Sequence, residues 1–120
     1  KLLQVVIFAQ MELLGRIRRV RNFIDRVALK YIINPLDETA TGEMIQFRLH
    51  SAGLPEGRTL FTPAATQAIY RFTQGYPRKI ALVCHNALET LVMHEQSVID
   101  APFIDTLIHD ESRWLHETVA

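Results

Sequence analysis

The chain is short of everything that holds a protein together covalently or through metal. It has a single cysteine, Cys84, which excludes an intrachain disulfide and fits a reducing compartment. Its five histidines, His50, His85, His94, His109 and His116, include no i, i+4 pair and have no Cys-x-x-Cys partner, so a zinc site is not expected. No apolar run reaches the roughly 18 residues that a membrane span needs. No small-residue cleavage site follows the opening apolar stretch, as a signal peptide would require. Neither sign of charge prevails: 13 basic residues face 13 acidic ones. The net field therefore attracts no polyanion, and any nucleic-acid surface must be local. Gly-x-Ser-x-Gly is missing, as are a glycine-rich phosphate loop and a serine or cysteine in a nucleophile setting. There are no repeats and no low-complexity tract.

What is present is apolar material in quantity, 48% of the 120 residues, enough for the core of one modest domain. "LLQVVIFA", Leu2 to Ala9, is almost wholly apolar and partly β-branched. It reads as a strand buried on both faces, the pattern of a parallel sheet flanked by helices. "VALKYII", Val27 to Ile33, is a second such run. Between them Leu13, Ile17, Val20 and Ile24 recur at helical steps. A chain that starts without methionine and opens on a core strand is expected to be a piece of a longer protein, cut inside a domain.

After "NPLD" the pattern turns helical. Asp37 is the expected N-cap of a helix whose apolar face is Ala40, Met44, Phe47 (or Ile45) and Leu49, closed by Gly53. Thr62 caps the next, with Pro63 at its first position; Ala65, Ile69 and Phe72 form its face, and Gly75 ends it. Pro77 opens a third, on Ile80, Val83, Cys84, Ala87, Leu88, Leu91 and Val92. Asp100 caps a fourth, with Phe103, Ile104, Leu107 and Ile108, continuing towards Trp114 and Leu115. The predicted fold is mainly α: a remnant of a parallel α/β sheet, two strands and a helix, over residues 1–35, then four helices over 36–120. A hinge is expected near Asn34 to Asp37.

Three features invite a functional reading. Gln10 directly follows the first strand, and ligands of open α/β sheets sit at strand ends. A loop-capping amide explains it equally well. Arg16, Arg18, Arg19, Arg21 and Arg26 crowd one helical segment. They suit a phosphate backbone as well as they suit a solvated face. Arg26 stands at the helix-to-strand junction, and arginine is the side chain best suited to stabilise a transferring phosphoryl group across an interface. Arg78 lies in the first turn of a helix, where the macrodipole disfavours a cation unless an anion joins it.

Four motifs, "QxEL" from Gln10, the arginine before "VxxxYxIxPL", "E…RLxxAG" and "GxPRxI…LxCxxAL", span about residues 1 to 108. Together they resemble the C-terminal half of the AAA+ ATPase domain in the ExeA/GspA and MshM group of general-secretion-pathway and MSHA-pilus ATPases. The resemblance implies an oligomeric enzyme that uses ATP and Mg²⁺, with 1–35 ending its nucleotide-binding core and 36–120 forming its helical lid. It implies that Gln10 senses the γ-phosphate, that Arg26 reaches a neighbouring subunit's nucleotide as the catalytic arginine, and that Arg78 contacts phosphate within its own subunit. It also implies other copies of the chain and secretion or pilus assembly proteins as partners, and a cytoplasmic place at the face of the bacterial inner membrane. Where the group has proline, glutamine and asparagine, this chain has Met11, Asp25 and Ala81. The chain by itself, without a phosphate loop, is expected to be inactive. Two other readings fit the same residues: a DNA-binding transposition-helper ATPase, with Arg16, Arg18, Arg19 and Arg21 on nucleic acid, and a nucleotide-independent helical interaction module.

Overall fold

The computed structural model describes the backbone of residues 3–119 and the side chains of residues 3–112. Its contacts divide the chain between Ile33 and Asn34 into two compact units.

The second unit holds four helices, α3 (Glu38–Ser51), α4 (Pro63–Thr73), α5 (Pro77–Met93) and α6 (Ala101–Val119). Start signals in the sequence operate as local chemistry dictates. Asp37 accepts from Ala40 N–H at 2.7 Å, Thr62 from Ala65 N–H at 3.1 Å, and Asp100 from Phe103 N–H at 2.9 Å. Each removes one unsatisfied donor from a helix start. The core is built from Ile45 of α3, Ala65 and Ile69 of α4, Ile80, Val83, Ala87 and Leu91 of α5, and Ile104 of α6. Phe61 and Ile99 complete it. These two lie in the segments entering α4 and α6, which run parallel and form an isolated bridge. Thr62 N–H donates to Ile99 C=O at 3.0 Å, and Ile99 N–H to Leu60 C=O at 2.8 Å. The bridge sets the starts of α4 and α6 side by side, and α4 packs on each of the other three helices.

Three residues of the predicted apolar faces lie elsewhere. Phe47 is 72% exposed, and Ile45 occupies the core in its place. At about 100° per residue the two point to opposite sides of α3, and Thr41 with Ile45 sets the inward stripe. Phe72 is half out, its neighbour Thr73 being buried and donating to Ile69 C=O at 2.8 Å. Val92 is exposed because Leu91, four residues after Ala87, takes the inward position. Trp114 and Leu115 fall in α6, but their side chains are outside the described residues.

The first unit departs further from expectation. Residues 3–10 and 27–33 adopt no regular secondary structure, and neither belongs to a strand ladder among the described residues. Their apolar side chains stand exposed, among them Leu3, Val6, Phe8, Leu29, Tyr31 and Ile33. Extended backbone becomes a sheet only through neighbours that accept its N–H groups, and the two segments do not supply them to each other. The single helix expected between them is broken into α1 (Met11–Ile17) and α2 (Arg21–Ile24), joined by a turn at 18–20. Neither short helix buries a residue. Helices gain most of their stability from packing an apolar face. This segment lacks that support, contains Gly15, and brings arginines of like charge together.

Candidate functional site

The start of α5 is the best-defined candidate, and it is set by Gly75. This glycine has φ +80°, a region that side-chain-bearing residues rarely enter. Its carbonyl accepts from Leu36 N–H at 2.9 Å. Leu36 carbonyl carbon lies 2.8 Å from where a Cβ on Gly75 would stand, and its nitrogen 3.0 Å. The segment preceding α3 is thus seated on the α4–α5 turn through a contact that only glycine permits. Tyr76 and Pro77 follow, and Pro77 takes the first helical position, where its missing N–H costs nothing.

The geometry leaves Arg78 exposed in the first turn of α5, with no ion-pair partner among the described residues. No side chain caps this helix and no acidic residue occupies its first turn. The N–H groups of Arg78 and Lys79 are donors that cannot be satisfied within the helix. Lys79 lies over the Tyr76 ring, 5.6 Å from its centroid. Two cations and free amides therefore gather at one helix end, an arrangement that favours an anion.

Gln10 and Arg26 belong to the first unit. Gln10 is the N-cap of α1; its backbone carbonyl accepts from Leu13 N–H at 3.0 Å, while its side-chain amide makes no capping bond. Arg26 follows α2 in a turn held by its N–H to Phe23 C=O at 3.2 Å, and its side chain is exposed. Asp25, beside it, forms no ion pair with it. Arg16, Arg18, Arg19 and Arg21 are exposed as well.

Cys84 packs against the core from α5. Burial pushes its thiol up to about 11, and the nearby Arg48 guanidinium only partly opposes this. The thiol is therefore neutral at physiological pH. Alkylation by iodoacetamide at pH 7.5 is expected to be at least tenfold slower in the native chain than in urea, because only the thiolate reacts. A raised acid pKa stabilises the fold fully below the unfolded value of 9.0, and that contribution falls as pH rises towards about 11. Equal alkylation rates in the two states would show an accessible, ionised thiol instead.

Sequence reasoning passed over two contacts. One is the Leu36–Gly75 pairing, whose only trace in the sequence is a glycine just before Tyr-Pro. The other joins α5 to α6, where Asn86 donates its amide to the Glu111 carboxylate. Its partners are 25 residues apart, a separation that periodicity cannot connect.

No protein-family model and no solved structure matches the chain. Among curated proteins it is similar to General secretion pathway protein A of Aeromonas hydrophila, with 38% identity over 90 residues, 73% of this chain. The chain spans 16% of that relative's length and is GspA-like over the stretch that the two share.

Proposed function

We propose that the chain is part of a AAA+ ATPase of the general-secretion and MSHA-pilus group: the end of its nucleotide-binding core at 1–35 and its helical lid at 36–120. The similarity to General secretion pathway protein A carries this reading. Four helices, the third of which starts on Gly75, Pro77 and Arg78, support the lid reading. The ATPase works as an oligomer of identical copies at the cytoplasmic face of the inner membrane and drives the assembly of a secretion or pilus machine.

ATP supplies the phosphoryl group and Mg²⁺ neutralises charge on it as it transfers. The donors at the start of α5 fit a phosphate, being cationic, uncapped and exposed. Arg78 binds phosphate of its own subunit there. The free Gln10 amide holds the terminal phosphate by hydrogen bonding, and the exposed Arg26 reaches the nucleotide of an adjoining copy.

Substituting Arg78 separates a ligand-binding role from a structural one. In this chain Arg78→Ala is expected to change stability by no more than about 0.5 kcal/mol, as for an ordinary surface residue. In the full-length protein it is expected to weaken ATP binding or turnover severalfold or more, since charge-assisted contacts to phosphate are among the stronger hydrogen bonds. Denaturant melts and nucleotide titrations measure the two effects. A loss of several kcal/mol in the melt, with unchanged nucleotide affinity, would assign the arginine to folding alone.

A further inference from the structure

The even charge balance conceals a segregation. The first unit, residues 1–33, carries seven basic and two acidic residues, net +5, whereas residues 34–120 carry six basic and eleven acidic, net −5. Within the first unit the excess is concentrated further. Arg16, Arg18, Arg19 and Arg21 fall within six residues that contain no acidic side chain. All four are exposed, and none is in an ion pair among the described residues. Like charges at this spacing repel one another and destabilise the helical turns that carry them. Glu12 and Asp25 form no ion pair with them among the described residues, so a bound anion would relieve that repulsion.

We propose that Arg16, Arg18, Arg19 and Arg21 bind the phosphate backbone of single-stranded nucleic acid without regard to sequence, and that Phe23 gives a base a surface to stack on. Three observations favour this partner. The basic residues here are all arginines, whose planar forks bind phosphate oxygens in pairs. They also leave the chain in different directions. Arg16 and the turn residues Arg18 and Arg19 continue the α1 spiral, through Arg18 N–H to Leu14 C=O at 3.1 Å and Arg19 N–H to Arg16 C=O at 3.2 Å. At about 100° per residue, their side chains span an arc of roughly 160° about the axis, a little less than half a turn. A flexible strand can follow such an arc. Finally, Phe23 is 39% exposed two residues beyond Arg21, and aromatic faces beside a basic track are how single strands are held irrespective of sequence. A membrane surface would instead call for a long amphipathic helix with a continuous apolar face. Here α1 has seven residues and α2 four.

The test uses this chain and a fluorescein-labelled oligo(dT) of about 20 nucleotides, long enough to cover one such site. Anisotropy is followed across a salt series. Four neutralised phosphates predict a log–log slope of affinity on salt of about −3, at roughly −0.7 per contact for a single strand. The variant R16Q/R18Q/R19Q/R21Q is expected to lose at least tenfold in affinity at low salt and to flatten the slope towards zero. Phe23→Ala is expected to weaken binding severalfold while leaving the slope in place. Circular dichroism confirms that each variant retains its helices. The proposal fails if the oligonucleotide is not bound at low salt, or if the quadruple variant keeps the wild-type slope. It also fails if phosphatidylglycerol vesicles are bound and the oligonucleotide is not. Equally, it fails if the arginines prove to serve only self-association with the acidic unit of a second copy, seen as a salt-sensitive dimer with no oligonucleotide binding.

Discussion

Replacing Gly75 by alanine is expected to remove roughly 2–5 kcal/mol from the stability of the four-helix unit, a large share of the 5–15 kcal/mol typical of a domain. Two costs combine. A side chain at φ +80° is disfavoured by about 1–2 kcal/mol on backbone grounds alone. The new Cβ would also collide with the Leu36 backbone, whose carbonyl carbon and nitrogen lie 2.8 and 3.0 Å away. Backbone atoms cannot swing aside as a side-chain tip can, so either the α4–α5 turn or the segment entering α3 has to move. Gly53 supplies the control. Its φ is +106°, but nothing lies within 4 Å of its added Cβ, so Gly53→Ala carries the backbone cost without the collision. Urea melts of the two variants should therefore differ by at least about 1 kcal/mol, the low end for overpacking a tight site. Equal losses would mean that the Leu36 contact is not maintained in solution. Because Arg78 stands three residues beyond Gly75, the same substitution should also disturb whatever anion α5 receives.

On the proposed ATPase reading, substituting Arg26 by alanine in the full-length protein is expected to lower ATP turnover by about 10³-fold while leaving nucleotide binding nearly intact. An arginine that reaches across a subunit boundary acts on charge that develops as the phosphoryl group transfers, so it affects the transition state more than the bound ground state. Its exposure, and the lack of an ion pair with Asp25, leave the guanidinium free for that task. Turnover and nucleotide titration on one preparation separate the two effects. Mixing the variant with one crippled in the phosphate loop should restore some activity, because each copy supplies what its neighbour has lost. A mixture that stays inactive, together with failure of Arg26→Ala to bind ATP, would make the residue structural.

The four helices were legible because their signals are local. Asp37, Thr62 and Asp100 are short polar side chains just before an apolar repeat, and each capped the predicted start. Pro63 and Pro77 marked first positions for a reason that involves one peptide unit. The stripe of Ile80, Val83, Ala87 and Leu91 followed from helical periodicity alone. What failed was non-local. Apolar, β-branched runs at 3–10 and 27–33 state a readiness to pair, but pairing depends on partners that periodicity does not name. The same reason explains Phe47. Residue type leaves Phe47 and Ile45 as alternatives for the inward position of α3, and it is Ile45, with Thr41, that takes it. The candidate site divides in the same way: Arg78 could be placed in the first turn of a helix from Gly75 and Pro77, but the seating of Leu36 on that turn required the folded chain.

The parallel bridge between Phe61 and Ile99 has a topological consequence. Two hydrogen bonds close a loop whose contents are the whole of α4 and α5, with the Tyr76–Arg78 corner at its far end. Closing a long loop costs configurational entropy that grows only slowly with length. The burial of Phe61 and Ile99, at 2% and 0% exposure, helps hold it shut. Inside such a noose the two helices cannot detach singly by fraying from a chain end. Opening of the bridge is therefore expected to release them together, and amide exchange at the corner carrying Arg78 should follow that of Thr62 and Ile99.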